Sequence, residues 1–260
     1  GLALLFGLRF PANFNSPYRA TSIIDFWQRW HMTLTRYLTL YLYNPVALWV
    51  ARRRVAQGKS TSRKAVSTPE GFLSMIAFPT FYTMILAGIW HGAGLQFLIF
   101  GLLHGSYLTI NHAWRSFGPR VPTVPQHPVI RVAVDCGKIA LTYLAVVVAQ
   151  VFFRAPSVHE AVRILHAMMG AEGIRDHAIT LHQLARNGLI LAVLYLIIWT
   201  MPNSLQILDR FEPTLSKLKF DSPISFTWQP NLPWAFLIGT IASIALLEIT
   251  GMTAFLYFRF

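Results

Sequence analysis

Apolar positions run through this chain in long stretches, broken by short polar segments rich in proline and asparagine. Residues 1–8 read as the tail of an apolar span whose beginning is missing. Residues 9–19 (RFPANFNSPYR) predict a turn-rich interfacial loop punctuated by two Pro and two Asn. Thr21 or Ser22 then offers an N-cap, with Asp25 three residues after Ser22 as in a capping box. Over 22–43 the pattern is helical but mixed: Asp25, Arg29, His31 and Arg36 stand among Phe26, Trp27, Trp30, Leu34 and Leu38. That mixture predicts a helix lying at a membrane interface or packed inside a bundle. Asn44-Pro45 is expected to break it, leaving 46–51 as a short apolar piece and 52–64 (RRRVAQGKSTSRK) as a basic loop.

Residues 71–112 stay apolar long enough to predict two crossings of about 20 residues each. Pro79 is a candidate kink there, and Gly88, Gly92, Gly94 and Gly101 are candidate points of breakage or close approach. A loop at 116–128 holds four Pro, and 129–153 predicts the next span, with Arg131, Asp135 and Lys138 along one face near its start. Residues 157–169 (SVHEAVRILHAMM) repeat apolar positions at helical spacing but are too short and too charged to cross, which predicts an interfacial amphipathic helix. With its flanks, 189–201 predicts a crossing. A polar loop at 202–233, a last span at 234–250 and an aromatic interfacial tail at 255–260 (FLYFRF) follow. The expected fold is all-α: a polytopic transmembrane helical bundle with interfacial and broken helices.

Composition sharpens this. Of 260 residues 54% are hydrophobic and 12% charged, with a mean hydropathy of +0.47. A soluble domain carries roughly 25% charged residues, so this chain lacks the charge to cover a water-facing surface. Soluble, disordered and coiled-coil classes are excluded. The net charge of +12 comes from basic residues concentrated between apolar runs. That is the pattern of a cytoplasmic loop facing anionic lipid, not of a nucleic-acid binder. The single cysteine, Cys136, permits no internal disulfide and no cysteine metal cage. A start at Gly1, without Met or a charged n-region, reads as the C-terminal part of a longer protein.

Ionisable groups inside apolar runs are the candidate chemistry, because each is costly to place there. Three histidines qualify: His31 in RWH, His91 in GIWHGAG and His104 in LLHG. His91 is the most unusual, lying mid-stretch between Trp90 and the small residues Gly92, Ala93 and Gly94. Neutral imidazole is the least expensive titratable side chain to bury, and in that form it is a base. Adjacent glycines let a substrate or backbone approach closely. An intramembrane histidine more often bonds a neighbouring helix than performs chemistry, and His104 and His112 fit that reading. Asp25, Gln28 and Arg29 could form a polar network around His31. The remaining histidines, at 127, 159, 166, 177 and 182, fall in loops or on amphipathic faces. No HExxH pair, cysteine cluster, GxSxG elbow or Walker loop occurs, so no metal site or hydrolase triad is expected.

The stretch NFNSPYRATSIIDFWQRWHMTLTRYL at 13–38, then LAGIWHGAGLQFLIFGLLHG at 86–105, resembles the membrane-bound O-acyltransferase family, and in it the bacterial branch that modifies alginate and teichoic acid. VFFRAPSVHEAVRILHAMMG at 151–170 and the closing FLYFRF extend the likeness over most of the chain. One departure stands out: the alginate-type branch runs after YLY into a Gly-Gly-Asn-Arg-like turn, where this chain has NPVALWVARRR at 44–54.

The resemblance implies acyl transfer from a thioester donor, such as an acyl-coenzyme A, to a hydroxyl, with no bound cofactor. It makes His91 the catalytic histidine and His31 the second active-site histidine. Trp90, Gly92, Trp30, Arg29 and Asp25 become candidate substrate contacts. Arg52, Arg53 and Arg54 become candidates for drawing an anionic donor to the cytoplasmic mouth. It further implies a multi-pass protein of the bacterial inner membrane, with 1–260 a single membrane-embedded acyltransferase domain: core motifs at 13–112, later spans at 129–260, and several spans missing before them. The expected acceptor is a cell-surface polysaccharide, with a periplasmic acyltransferase as a possible partner. D-alanyl or other acyl transfer to a wall polymer, lipid or protein is the alternative within this chemistry. A small-solute transporter is the alternative outside it, with Asp135 and Glu248 as its main acidic candidates.

Overall fold

The computed structural model describes residues 2–119, 127–171, 180–215, 226–247 and 249. The predicted tail at 255–260, Glu248, His177 and the centre of the 116–128 loop lie outside them. The described residues contain helices and no strand. They divide into two units, 12–199 and 1–11 with 200–260.

The larger unit holds α1 (Ile23–Arg29), α2 (Met32–Leu38), α3 (Asn44–Ala56), α4 (Pro69–Trp90), α5 (Leu95–Phe117), α6 (Pro128–Arg154), α7 (Val158–Met168) and all but the last residue of α8 (Leu181–Thr200). Among the described residues three helices are long and apolar enough to cross a membrane: α4, α6 and the 182–200 stretch of α8. Leu189, Leu191 and Leu196 of α8 lie exposed, an arrangement lipid tolerates and water does not. The chain is an all-α, multi-pass membrane protein.

The structure corrects three sequence expectations. The second crossing expected within 71–112 is α5, whose 23 residues reach about 35 Å. Gln96, His104, Asn111 and His112 dilute its apolar run, and it does not join the three spans. Asn44-Pro45 breaks nothing. A π-helical turn at Thr39–Tyr43 leads directly into α3, and Pro45 follows it at the start of α3, so the helical path continues through the proline. The three arginines at 52–54 are therefore not loop residues but the end of α3.

Caps behave locally as written. Ser22 accepts the Asp25 N–H at 3.2 Å, while the Asp25 carboxylate reaches back to the Thr21 N–H at 3.1 Å, one residue earlier than in a standard capping box. Ser157 caps α7 by accepting the Glu160 N–H at 3.2 Å. Removing such a cap typically costs ~1 kcal/mol. Ser157→Ala is expected to lower the thermal midpoint of the detergent-solubilised protein by a few degrees, and Ser157→Asn to restore it.

The core joins helices distant in sequence. Phe26 and Trp27 of α1 pack with Met84 of α4 and Val146 of α6. Phe152 of α6 and Ala161 of α7 form a second cluster. In α4 and α5, Gly88 and Gly101 meet backbone to backbone: a Cβ at Gly88 would lie 3.0 Å from the Gly101 Cα and run into the Phe97 carbonyl. That crossing aims the end of α4, where His91 follows.

In the smaller unit, Arg9 pairs with Glu212 at 3.3 Å and the Leu215 N–H donates to the Phe10 carbonyl at 3.1 Å. Its helix α9 (Leu232–Leu247) has 16 residues, about 24 Å. The last span expected at 234–250 is therefore short of the ~30 Å hydrocarbon thickness over the described residues.

Candidate active site

The sequence expected one continuous helix through RWH; the structure breaks it there. α1 ends at Arg29, Trp30 is extended, and His31 takes a left-handed conformation (φ 43°, ψ 52°) as the N-cap of α2. Such a backbone is uncommon for a residue with a side chain and tends to mark a functional turn. The segment 13–15 holds this turn. The Met32 N–H donates to the Asn13 carbonyl and the Asn15 N–H to the Arg29 carbonyl, both at 2.9 Å. The Asn13 side-chain oxygen accepts the Thr33 hydroxyl at 2.8 Å and the Thr33 N–H at 3.3 Å, and lies 3.1 Å from His31 Nδ1. Burial pushes the His31 imidazole below its ordinary pKa, so the ring is mostly neutral at pH 7.

His91 sits where α4 stops. Its N–H closes on the Gly88 carbonyl at 3.0 Å, and Gly92 follows with φ 157°. A Cβ at Gly92 would lie 2.5 Å from the Phe97 ring, so only glycine lets the chain turn here. Three aromatic rings surround the imidazole: Trp90 at 4.8 Å, Phe153 at 4.9 Å and Phe100 at 6.1 Å, each edge to face. No hydrogen bond to the His91 ring occurs among the described residues. His31 lies within electrostatic reach of it. Two histidines 60 positions apart in sequence thus come within electrostatic reach of each other.

The other candidates divide. Trp90 flanks His91 directly. Trp30 stacks on Phe26 at 5.8 Å and meets Phe14 edge to face at 5.0 Å, packing against the base of the turn. Arg29 and Asp25 form an i,i+4 ion pair at 2.7 Å, an arrangement that stiffens α1. Arg54 is buried; it donates to Ser74 at 2.9 Å and contacts Glu70 at 3.4 Å. It thereby clips the basic segment to the beginning of α4. Arg53 lies over the Trp49 ring at 5.4 Å, and Arg52 and Arg53 are exposed. From Ser74 to His91 is roughly 25 Å along a helix, so the arginines and His91 occupy opposite ends of α4.

Sequence reasoning passed over Asn13 and left the partner of His104 open. Asn13 looked like loop punctuation, since its partners lie 18 and 20 positions away. His104 is 1% exposed, accepts the Trp27 indole N–H at 3.3 Å and stacks on Phe26. That is the helix-bonding histidine the sequence suggested, with an indole as its partner. A separate cavity of about 350 Å³, lined in part by Trp27, Gln28, Thr35, Thr39, Thr83 and His112, lies between α1, α2, α4 and α5. Among the described residues no cluster of side chains suits a metal ion.

No protein-family model matches the chain. Over its whole length it is 32% identical to a Pseudomonas putida protein named "Probable alginate O-acetylase AlgI", of which it covers 48%. Over 67% of its length it is 34% identical to the peptidoglycan O-acetyltransferase of Helicobacter pylori, covering 28% of that protein. Over 49% it is 28% identical to the teichoic acid D-alanyltransferase of Bacillus subtilis, covering 29%. The chain spans about half the length of the first of these relatives and less of the other two. A helical membrane bundle with an RWH and a WHG histidine at broken helix ends, and likeness to these three kinds of protein, agree: the chain resembles the membrane-bound O-acyltransferase family.

Proposed function

We propose that this chain carries the acyl-transfer centre of an O-acyltransferase of the bacterial inner membrane. It moves an acyl group, acetyl in the first instance, from a thioester donor to a hydroxyl of a cell-surface polysaccharide. The observation that carries this reading is His91: an imidazole in an aromatic surround, at a glycine-opened helix end, with its ring nitrogens uncommitted among the described residues and His31 in reach.

In this mechanism neutral His91 takes the proton of the acceptor hydroxyl as the oxygen attacks the thioester carbonyl carbon. The C–O bond forms, the C–S bond breaks, and the departing thiolate recovers the proton from the imidazolium. An ester and a free thiol result. General-base assistance of this kind is worth roughly 10²–10⁴ in rate. A relay through an acyl-imidazole, completed by a periplasmic acyltransferase, uses the same histidine. Exposed Arg52, Arg53, Arg63 and Lys64 at the other end of α4 favour a cytoplasmic position there and attract an anionic donor. Likeness to an alginate O-acetylase and a peptidoglycan O-acetyltransferase supports a polysaccharide acceptor. Likeness to a D-alanyltransferase keeps D-alanyl transfer to a wall polymer as the second reading.

The test is thiol release from acetyl-coenzyme A by membranes containing the full-length protein, with its polysaccharide system present. One thiol per ester formed is the expected stoichiometry. Solute movement without thiol release would replace the enzyme by a transporter, and release with D-alanyl thioester alone would change the acyl group.

A further inference from the structure

The turn that carries His31 has its own chemical logic. The Asn13 side-chain atom facing His31 Nδ1 also faces the backbone N–H of Thr33, which can only donate. That atom is therefore the carbonyl oxygen, an acceptor. The Thr33 hydroxyl donates to it as well. An acceptor at 3.1 Å requires Nδ1 to carry the proton in the neutral ring. Nε2 is then left as the lone-pair nitrogen, and the tautomer is decided by one amide oxygen. The same asparagine holds the ring in place: its backbone carbonyl pins Met32, its side chain pins Thr33, and His31 sits left-handed between segments so fixed.

We propose that Asn13 is a positioning residue for acyl transfer. It locks His31 as the Nδ1–H tautomer and so presents Nε2 as a hydrogen-bond acceptor beside the base His91. The inference rests on the acyltransfer reading above. It gives His31 a definite role, offering Nε2 as a hydrogen-bond acceptor beside His91, which takes the hydroxyl proton; no contact of His31 alone specifies this. Without the amide oxygen the ring rotates or adopts the other tautomer, and the lone pair turns away from the reacting atoms.

Three variants of the full-length protein test this in the thiol-release assay, with thermal midpoints measured in parallel. Asn13→Leu keeps the volume and removes the acceptor; kcat is expected to fall by ~10²-fold, the usual scale of lost alignment, with KM within about twofold. Asn13→Asp keeps an acceptor oxygen and is expected to retain kcat within about tenfold, since orientation survives. Thr33→Val removes one bond to Asn13 but leaves His31 Nδ1 its partner, so it is expected to lower the midpoint while sparing kcat. If Asn13→Leu keeps wild-type kcat, or Thr33→Val loses as much kcat as Asn13→Leu, Asn13 is structural only and the proposal fails. His91→Ala runs alongside. If it is inactive while Asn13→Leu is fully active, this inference alone falls; if it is fully active, the reading of the site falls too.

Discussion

His91→Ala in the full-length protein will lower acyl-transfer turnover by at least ~10²–10⁴-fold, the range assigned to a positioned general base. The imidazole is the only titratable side chain that α4 delivers at the Gly88–Gly94 turn. Trp90, Phe100 and Phe153 around it offer ring faces and edges but no base at neutral pH. The loss is expected in kcat, because removing a proton acceptor changes the transition state more than the ground state. A relay through an acyl-imidazole predicts the same loss, and trapping of acylated enzyme with labelled donor separates the two routes. His159→Ala is the control: the His159 side chain is 87% exposed on α7, and its loss should leave turnover unchanged. His104→Ala would be a poor control, since it opens a hole in the core beside Trp27. Unchanged turnover in His91→Ala would make His91 a packing residue.

Gly101→Val will prevent the protein from folding to its native bundle. At Gly101 a Cβ runs into the Met84 carbonyl and lies 3.2 Å from the Ile85 Cα, so the atoms in the way are backbone and cannot rotate aside. Gly88 faces the same crossing from the other helix. Overpacking typically costs 1–3 kcal/mol when side chains can yield; here α4 and α5 must separate, and a cost above ~3 kcal/mol is expected. The readout is the yield of monodisperse protein in detergent and its thermal midpoint. Gly137→Val is the matched control, a glycine inside α6 with open space where its Cβ would be built. Helix propensity acts similarly at both sites, so a large difference between them isolates the crossing. Equal behaviour would mean that the crossing does not hold α4 in place. Activity should fall with folding in Gly101→Val, because the same crossing aims the end of α4 that carries His91.

Much of the protein was legible before its structure. Local rules sufficed for the caps at Ser22 and for the amphipathic helix at 157–169, because hydrogen bonds to the third following N–H and a helical apolar period are properties of adjacent residues. The spans at 129–153 and 189–201 were legible from length and apolarity. Pro45 misled because a helix can continue through a proline when a π-helical turn precedes it, and nothing local to Asn44-Pro45 announces that turn. Arg54 read as one of three equivalent loop cations. Its burial against Ser74 depends on a partner 20 positions on.

The sequence by itself determined the class of molecule: a helical membrane protein, since 12% charged residues cannot cover a water-facing surface and apolar runs of about 20 residues satisfy their backbone in an apolar medium as helices. Through the RWH and WHG motifs it also pointed to the two histidines. Only the tertiary structure decided how those histidines are held. The break at Trp30–His31 exists because Asn13 and Asn15, well upstream, supply the hydrogen bonds that a continuous helix would have made within itself. The placement of His91 follows from two glycines on different helices admitting backbone contact. The tautomer of His31 follows from a third residue's carbonyl. Each of these is a contact between positions far apart in the chain, and no local pattern of residues encodes which of many possible partners will arrive.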